Sequence, residues 1–226
     1  LTVYYSWKIY NGKDINILDC ILAGIFAAFG FLSKYLFIYL IISIVILFTY
    51  LIFLRKDKKF NFKYIIILEV FLVILAPHLI WLQNNEFVTV TYGLARTGLE
   101  QSSFIDHIKF PILFIIKQIG LLIPFIILTW LLVKKVKFKI NLKDKKFVFL
   151  LFINILPIIL IFLTSLMTGS KIRTMWMTPF YLFFGTFVVY LFKKQLNFNN
   201  LKPFIIGFIF FFFLSPVLYA YISIFQ

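Results

Sequence analysis

An all-α, polytopic transmembrane protein is the fold class this sequence predicts, and three observations predict it. Hydrophobic residues make up 63% of the 226-residue chain, and its mean hydropathy is +1.02. Apolar runs of about 18 to 23 residues recur along it, each enough to cross a hydrocarbon core about 30 Å thick. The charges gather between those runs rather than within them. Membrane barrels alternate polar and apolar residues, whereas these runs are apolar all round, which argues against strands.

The spans follow from the runs. Leu1 to Lys13 reads as the end of a span or an interfacial segment, with Tyr4, Tyr5, Trp7 and Tyr10 suited to headgroup level. Because the chain opens on Leu1 and an aromatic run, it is expected to be a fragment lacking an N-terminal part. The first whole span, Ile15 to Leu32, carries Ala23, Gly24, Ala27, Ala28 and Gly30, small residues that let helices approach closely. Its one cysteine, Cys20, is expected to pack. Tyr35 to Leu54 follows at once, leaving Ser33 and Lys34 at a hairpin tip. Tyr64 to Leu82 carries Glu69, expected to pair with the neighbouring basic loop, and Pro77. Phe110 to Val133 holds Lys117 and Gln118; Phe147 to Met167 holds Asn154 and Pro157. Met175 to Phe192 and Phe204 to Phe225 complete about seven spans with short loops. All of 1–226 reads as one transmembrane domain, with external loops at 83–109 and 168–178.

The formal net charge of +15 comes from 23 basic against 8 acidic residues. Its placement points to membrane lipids and not to nucleic acid. The loops at Lys8 to Asp14, Arg55 to Lys63, Lys134 to Lys146 and Lys193 to Lys202 hold 17 of the 23 basic residues and fall on one side if spans alternate. That side is expected to be cytoplasmic. The opposite side receives Lys34 and the two external loops, which mix polarity, aromatics and glycines.

Lys34, Arg96, Lys171 and Arg173 on that outer side are the kind of groups that grip phosphate, arginine as a bidentate fork and lysine as a point charge. His78 and Trp81 are expected to shape the pocket and Glu86 to touch an acceptor. Asp106, His107, Lys109 and Glu100 share the same face. Neither histidine stands at metal-ligand spacing, so hydrogen-bonded structural roles are expected for both and no metal site is assigned. There is no P-loop, G-x-S-x-G or dinucleotide fingerprint.

Four stretches resemble, in order, the membrane-embedded GT-C glycosyltransferases of the protein O-mannosyltransferase and aminoarabinose transferase type. They are AGIFAAFGFLSKYLFIYL (Ala23 to Leu40), PHLIWLQNNEFVTVTYGLAR (Pro77 to Arg96), IKQIGLLIPFIIL (Ile116 to Leu128) and GSKIRTMWMTPFYLF (Gly169 to Phe183). Leu82 departs from the pattern, since that family has an Asn after the tryptophan. The resemblance implies transfer of a sugar from a polyprenyl-phosphate donor to a lipid, glycan or protein acceptor, as in lipopolysaccharide and other cell-envelope assembly at a bacterial inner membrane. It also implies that the catalytic acid, with any divalent metal, lies in an external loop upstream of Leu1. No catalytic residue and no cofactor are therefore assigned within the chain. A transporter or flippase of a lipid-linked saccharide is the alternative; it should show an internal repeat or paired broken helices, and the sequence shows neither.

Overall fold

The computed structural model describes residues 1–98, 103–133, 137, 140–196 and 201–225. Among them the chain is helical, with one isolated antiparallel bridge between Val133 and Leu196 and no strand. In order come α1 (Thr2–Asn11), α2 (Ile17–Ser33), α3 (Ile38–Thr49), α4 (Lys63–Asn84), α5 (Val88–Ala95), α6 (Asp106–Leu132), α7 (Lys145–Thr168), α8 (Phe184–Phe192) and α9 (Leu201–Phe225). Single turns extend α3 on both sides: a 3₁₀ turn at Tyr35–Phe37 and a π turn at Tyr50–Leu54, closed by the Arg55 N–H on the Tyr50 carbonyl at 2.9 Å.

Among the described residues, five stretches are long and apolar enough to cross a membrane unaided: Tyr35–Leu54, Lys63–Asn84, Asp106–Leu132, Lys145–Thr168 and Leu201–Tyr221. A sixth is broken. Its first half, Thr174–Tyr181, winds as a 3₁₀ helix around Pro179, whose missing N–H interrupts the α-helical ladder, and it meets α8 at a 53° bend. The remaining expected span, α2, has 17 residues, about 25 Å of helix at about 1.5 Å per residue. The protein is an integral, multi-pass membrane protein of helical class.

Helix α7 stands at the centre, packed by α1, α3, α6 and α8, while α2 pairs with α4 and α1. Between α7 and its neighbours lies the main apolar core, including Leu47, Phe114, Val148, Ile161 and Met177. On α2, Gly24 brings that helix so close to α4 that a Cβ there would meet the Ile67 carbonyl oxygen at 2.7 Å. Cys20 is fully buried beside Ile9, Ile15 and Ala23, so it packs. The N-terminal segment is the helix α1, joined to α2 by Lys8 Nζ on the Asp19 carboxylate at 2.7 Å. Glu69 is exposed on α4 without the expected partner: the ion pairs among the described residues are Lys8–Asp19 and Arg55–Asp57. The basic connector instead spends its charges on backbone carbonyls and on its own aspartate.

Hydrogen bonds between loops sort the molecule into two ends. At one, Lys63 Nζ donates to the Ile15 carbonyl (2.9 Å), Arg55 Nη1 to the Leu142 carbonyl (2.8 Å) and Gln195 Nε2 to the Lys137 carbonyl (2.6 Å). At the other, Lys34 Nζ donates to the Trp176 carbonyl (3.0 Å) and the Lys171 N–H to the Thr97 carbonyl (2.9 Å). We call these the basic end and the polar end.

Two outcomes test this packing. Gly24→Ala should lower the thermal midpoint of the purified protein, costing about 1–3 kcal/mol because backbone must move, while Gly120→Ala, where a Cβ meets nothing within 4 Å, should leave it unchanged. Asp144 caps α7 through the Lys146 N–H (3.0 Å) and accepts from the Tyr190 hydroxyl at 2.5 Å. Asp144→Ala should therefore cost about 1 kcal/mol at neutral pH. The Tyr190 hydrogen bond holds the Asp144 carboxyl below its usual value of 3.8. The charge-dependent share of that margin is thus complete above the ordinary carboxylate range and lost as pH falls through the lowered folded value, which melting of both forms against pH would show.

Candidate functional site

The polar end is built from two backbone reversals. Helix α7 stops at Gly169, which takes the left-handed conformation (φ 66°) that ends helices and donates its N–H to the Ser165 carbonyl at 2.9 Å. Buried Ser165 then donates its hydroxyl to the Ser170 carbonyl at 2.7 Å, holding the turn. One residue on, the Lys171 N–H reaches the carbonyl of buried Thr97 and clasps the segment after α7 to the segment after α5. With both backbones fixed, the side chains of Arg96, Lys171 and Arg173 stay exposed around a common cleft.

That cleft has a volume of about 670 Å³. Among the described residues, Arg96, Lys117, Lys171 and Arg173 line it against one carboxylate, Asp106, with Phe110 and Ile172 supplying apolar wall. Arg96 is aimed by Tyr92 one helical turn earlier: Nη1 donates to the Tyr92 hydroxyl at 3.1 Å, and the guanidinium lies 5.4 Å from that ring's centroid. Asp106 accepts from the Ser103 N–H and hydroxyl at 2.8 and 2.9 Å, so it is engaged in starting α6. Asp106, Phe110 and Lys117 stand four and seven residues apart on α6, which places all three on one face.

Three of the four cations expected to grip phosphate thus share the cleft. The fourth, Lys34, does not line it. Lys34 caps α2 and spends one of its three N–H donors on the Trp176 carbonyl, tying the α2–α3 tip to the 3₁₀ segment that follows Arg173. Burial pushes its ammonium below the usual lysine range. His78 and Trp81 form a separate aromatic post: the Tyr35 hydroxyl bridges His78 Nε2 and Thr89 Oγ1, both at 2.7 Å, and His78 stacks on Trp81 at 5.8 Å. Glu86 sits exposed on a turn where it and Phe87 are both left-handed (φ 51° and 54°), a conformation costly for side chains of this size. His107 has a structural tie, Nδ1 to the Leu166 carbonyl at 3.0 Å. Glu100 and part of the 83–109 loop lie outside the described residues. Among the described residues no three His, Cys, Asp or Glu side chains converge as a metal site would need.

Lys117 was not singled out for the site, although a sufficient signal was present. A lysine inside an apolar span is a functional candidate by default, because it must face protein or water.

Residues 1–81 match the family model described as dolichyl-phosphate-mannose-protein mannosyltransferase. The matched segment runs from α1 through most of α4 and includes Lys34, His78 and Trp81; the cleft residues from Ala95 onward lie beyond it. No curated protein and no solved structure matches the chain. The match, confined to that part of the chain, supports a membrane glycosyltransferase in general terms, in agreement with the helical membrane architecture.

Ser165 tests how the cleft is held. Ser165→Ala leaves the buried Ser170 carbonyl without its hydroxyl donor and should cost about 1–3 kcal/mol. The thermal midpoint should fall, whereas the exposed Ser103→Ala should move it far less.

Proposed function

We propose that the chain carries the donor-phosphate wall of an integral-membrane glycosyltransferase, which moves a sugar from a polyprenyl phosphate to a lipid, glycan or protein acceptor. One observation carries this reading: four cations from three separate segments converge on a single cleft with one engaged carboxylate. In this reading the polar end faces the outside of a bacterial inner membrane, and the product belongs to the cell envelope, lipopolysaccharide included.

The chemistry follows from charge. A sugar joined to a polyprenyl phosphate sits on a phosphodiester with one negative charge. When the bond from the sugar's anomeric carbon to the phosphate oxygen breaks, the electron pair stays on that oxygen and the phosphate gains a second charge. The acceptor hydroxyl oxygen forms the new bond and loses its proton. Cations fixed beside the phosphate stabilise the charge that appears during the step more than the charge already present, which lowers the barrier. Arg96, pre-aimed by Tyr92, and Arg173 present guanidinium forks to phosphate oxygens; Lys117 and Lys171 add point charges. Lys34 acts from beneath, fixing the segment that carries Arg173. His78 and Trp81 shape the neighbouring wall, and Glu86 stands toward the acceptor.

The test supplies proteoliposomes of the full-length protein with a polyprenyl-phosphate sugar and measures glycosylated acceptor. Arg96→Ala and Arg173→Ala should each lower kcat/KM about 100-fold or more, the loss typical of one transition-state donor, while Lys109→Ala, outside the cleft, should not. Undiminished transfer in the Arg96→Ala/Arg173→Ala double variant would sink the assignment. Movement of the saccharide carrier across the bilayer without glycosylated product would assign a transporter instead.

A further inference from the structure

The basic end holds a second cleft, of about 580 Å³, that the reaction above does not use. Lys13, Lys58, Lys59, Lys63 and Lys145 line it against Asp14 and Asp57. We propose that this cleft is a phosphate-binding site, taking the phosphate of a lipid headgroup or of a small soluble phosphate compound.

The ordinary reading of lysines between spans is a loose, mobile charge that orients the protein. This group is built instead. Lys58 Nζ donates to the Gly12 carbonyl and Lys63 Nζ to the Ile15 carbonyl at 2.9 Å, so both ammoniums are pinned and each keeps two donors. One of the two carboxylates is already spent, since Asp57 pairs with Arg55 at 2.7 Å. Burial and the charge of Lys145 push the Lys58 ammonium below the usual lysine range, with Asp14 opposing them. Positive charge is therefore crowded and undercompensated, the condition an incoming anion relieves. Helix α4 begins at this cleft, at Lys63, so the positive end of its dipole adds to the field, whereas the α7 N-terminus beside Lys145 is already capped by Asp144.

The chemistry selects phosphate. Several ammonium donors around a small volume suit a compact anion with several acceptor oxygens, and the volume admits one headgroup or one small phosphate compound rather than a polymer. Lys63 and Lys145 are also the first residues of two spans, which sets the cleft at the depth where a leaflet's phosphates lie.

The test titrates the full-length protein in neutral detergent with short-chain phosphatidylglycerol in one arm and inorganic pyrophosphate in the other, by calorimetry. Saturable binding in at least one arm is expected, and the arm that binds names the source. Lys59→Gln with Lys145→Gln should weaken it about twenty-five-fold, at about fivefold per lysine; among the described residues neither side chain makes a hydrogen bond or ion pair, so the fold is not at stake. The single change Lys59→Gln should give about fivefold. Lys143→Gln with Lys146→Gln, which removes equal charge nearby but outside the cleft, should leave affinity within about twofold. Absence of saturable binding in both arms, or equal weakening by the two double variants, would overturn the proposal.

Discussion

An ammonium or guanidinium group placed in the middle of a bilayer costs about 2.5–3.5 kcal/mol even by the mildest measure, and that cost arranges this molecule. It drives nearly all the cations, with Lys117 inside α6 and facing the polar cleft as the exception, out of the spans and toward their ends. Once there, they need acceptors, and the nearest are the exposed carbonyls of neighbouring loops. Hence Arg55 reaches Leu142, Lys63 reaches Ile15 and Lys34 reaches Trp176. These bonds lock the helix ends together in two separate layers, and each layer encloses a cleft lined by cations, some of them the locking residues themselves. The clefts are consequences of where charge cannot go.

Inside the spans the complementary rule holds, because hydrocarbon offers no hydrogen-bond partner. Small polar side chains there turn back on their own helix: Ser43 to the Tyr39 carbonyl (2.7 Å), Thr49 to Val45 (2.9 Å), Thr129 to Phe125 (2.8 Å) and Thr164 to Leu160 (2.9 Å). Side-chain bonds also cross between helices, the Tyr39 hydroxyl to Thr164 Oγ1 (3.1 Å) and the Tyr181 hydroxyl to Gln118 Oε1 (2.6 Å) among them, and most of the remaining cohesion is left to packing. Gly24 against the Ile67 carbonyl and fully buried Ala28 are two places where that packing is close. Cation placement and small-residue packing therefore act on different parts of the same helices, the first at the ends and the second along the shafts.

The helical class and the sorting of loops were legible in the sequence, since apolar length and lysine position are one-dimensional properties. The break of the sixth span was not: Pro179 was visible, but a proline in a span can kink it, end it or do nothing, and its neighbours decide. At the site, Arg96, Lys171 and Arg173 could be grouped by charge and side. That Lys171 and Thr97 share a backbone bond, and that Lys117 turns toward both, depends on how α5, α6 and α7 dock, which no spacing rule encodes. Lys34 shows the opposite error: its charge was legible, but not the carbonyl that claims it.

The clasp between Thr97 and Lys171 is made by main-chain atoms alone. Every residue except proline can supply that N–H, so position 171 can drift in charge, length or shape without unlatching the two loops. The protein therefore separates the part of its cleft that must stay from the part that can vary. Side chains at 171 and 173 can thus be exchanged around the cleft while the frame is inherited intact.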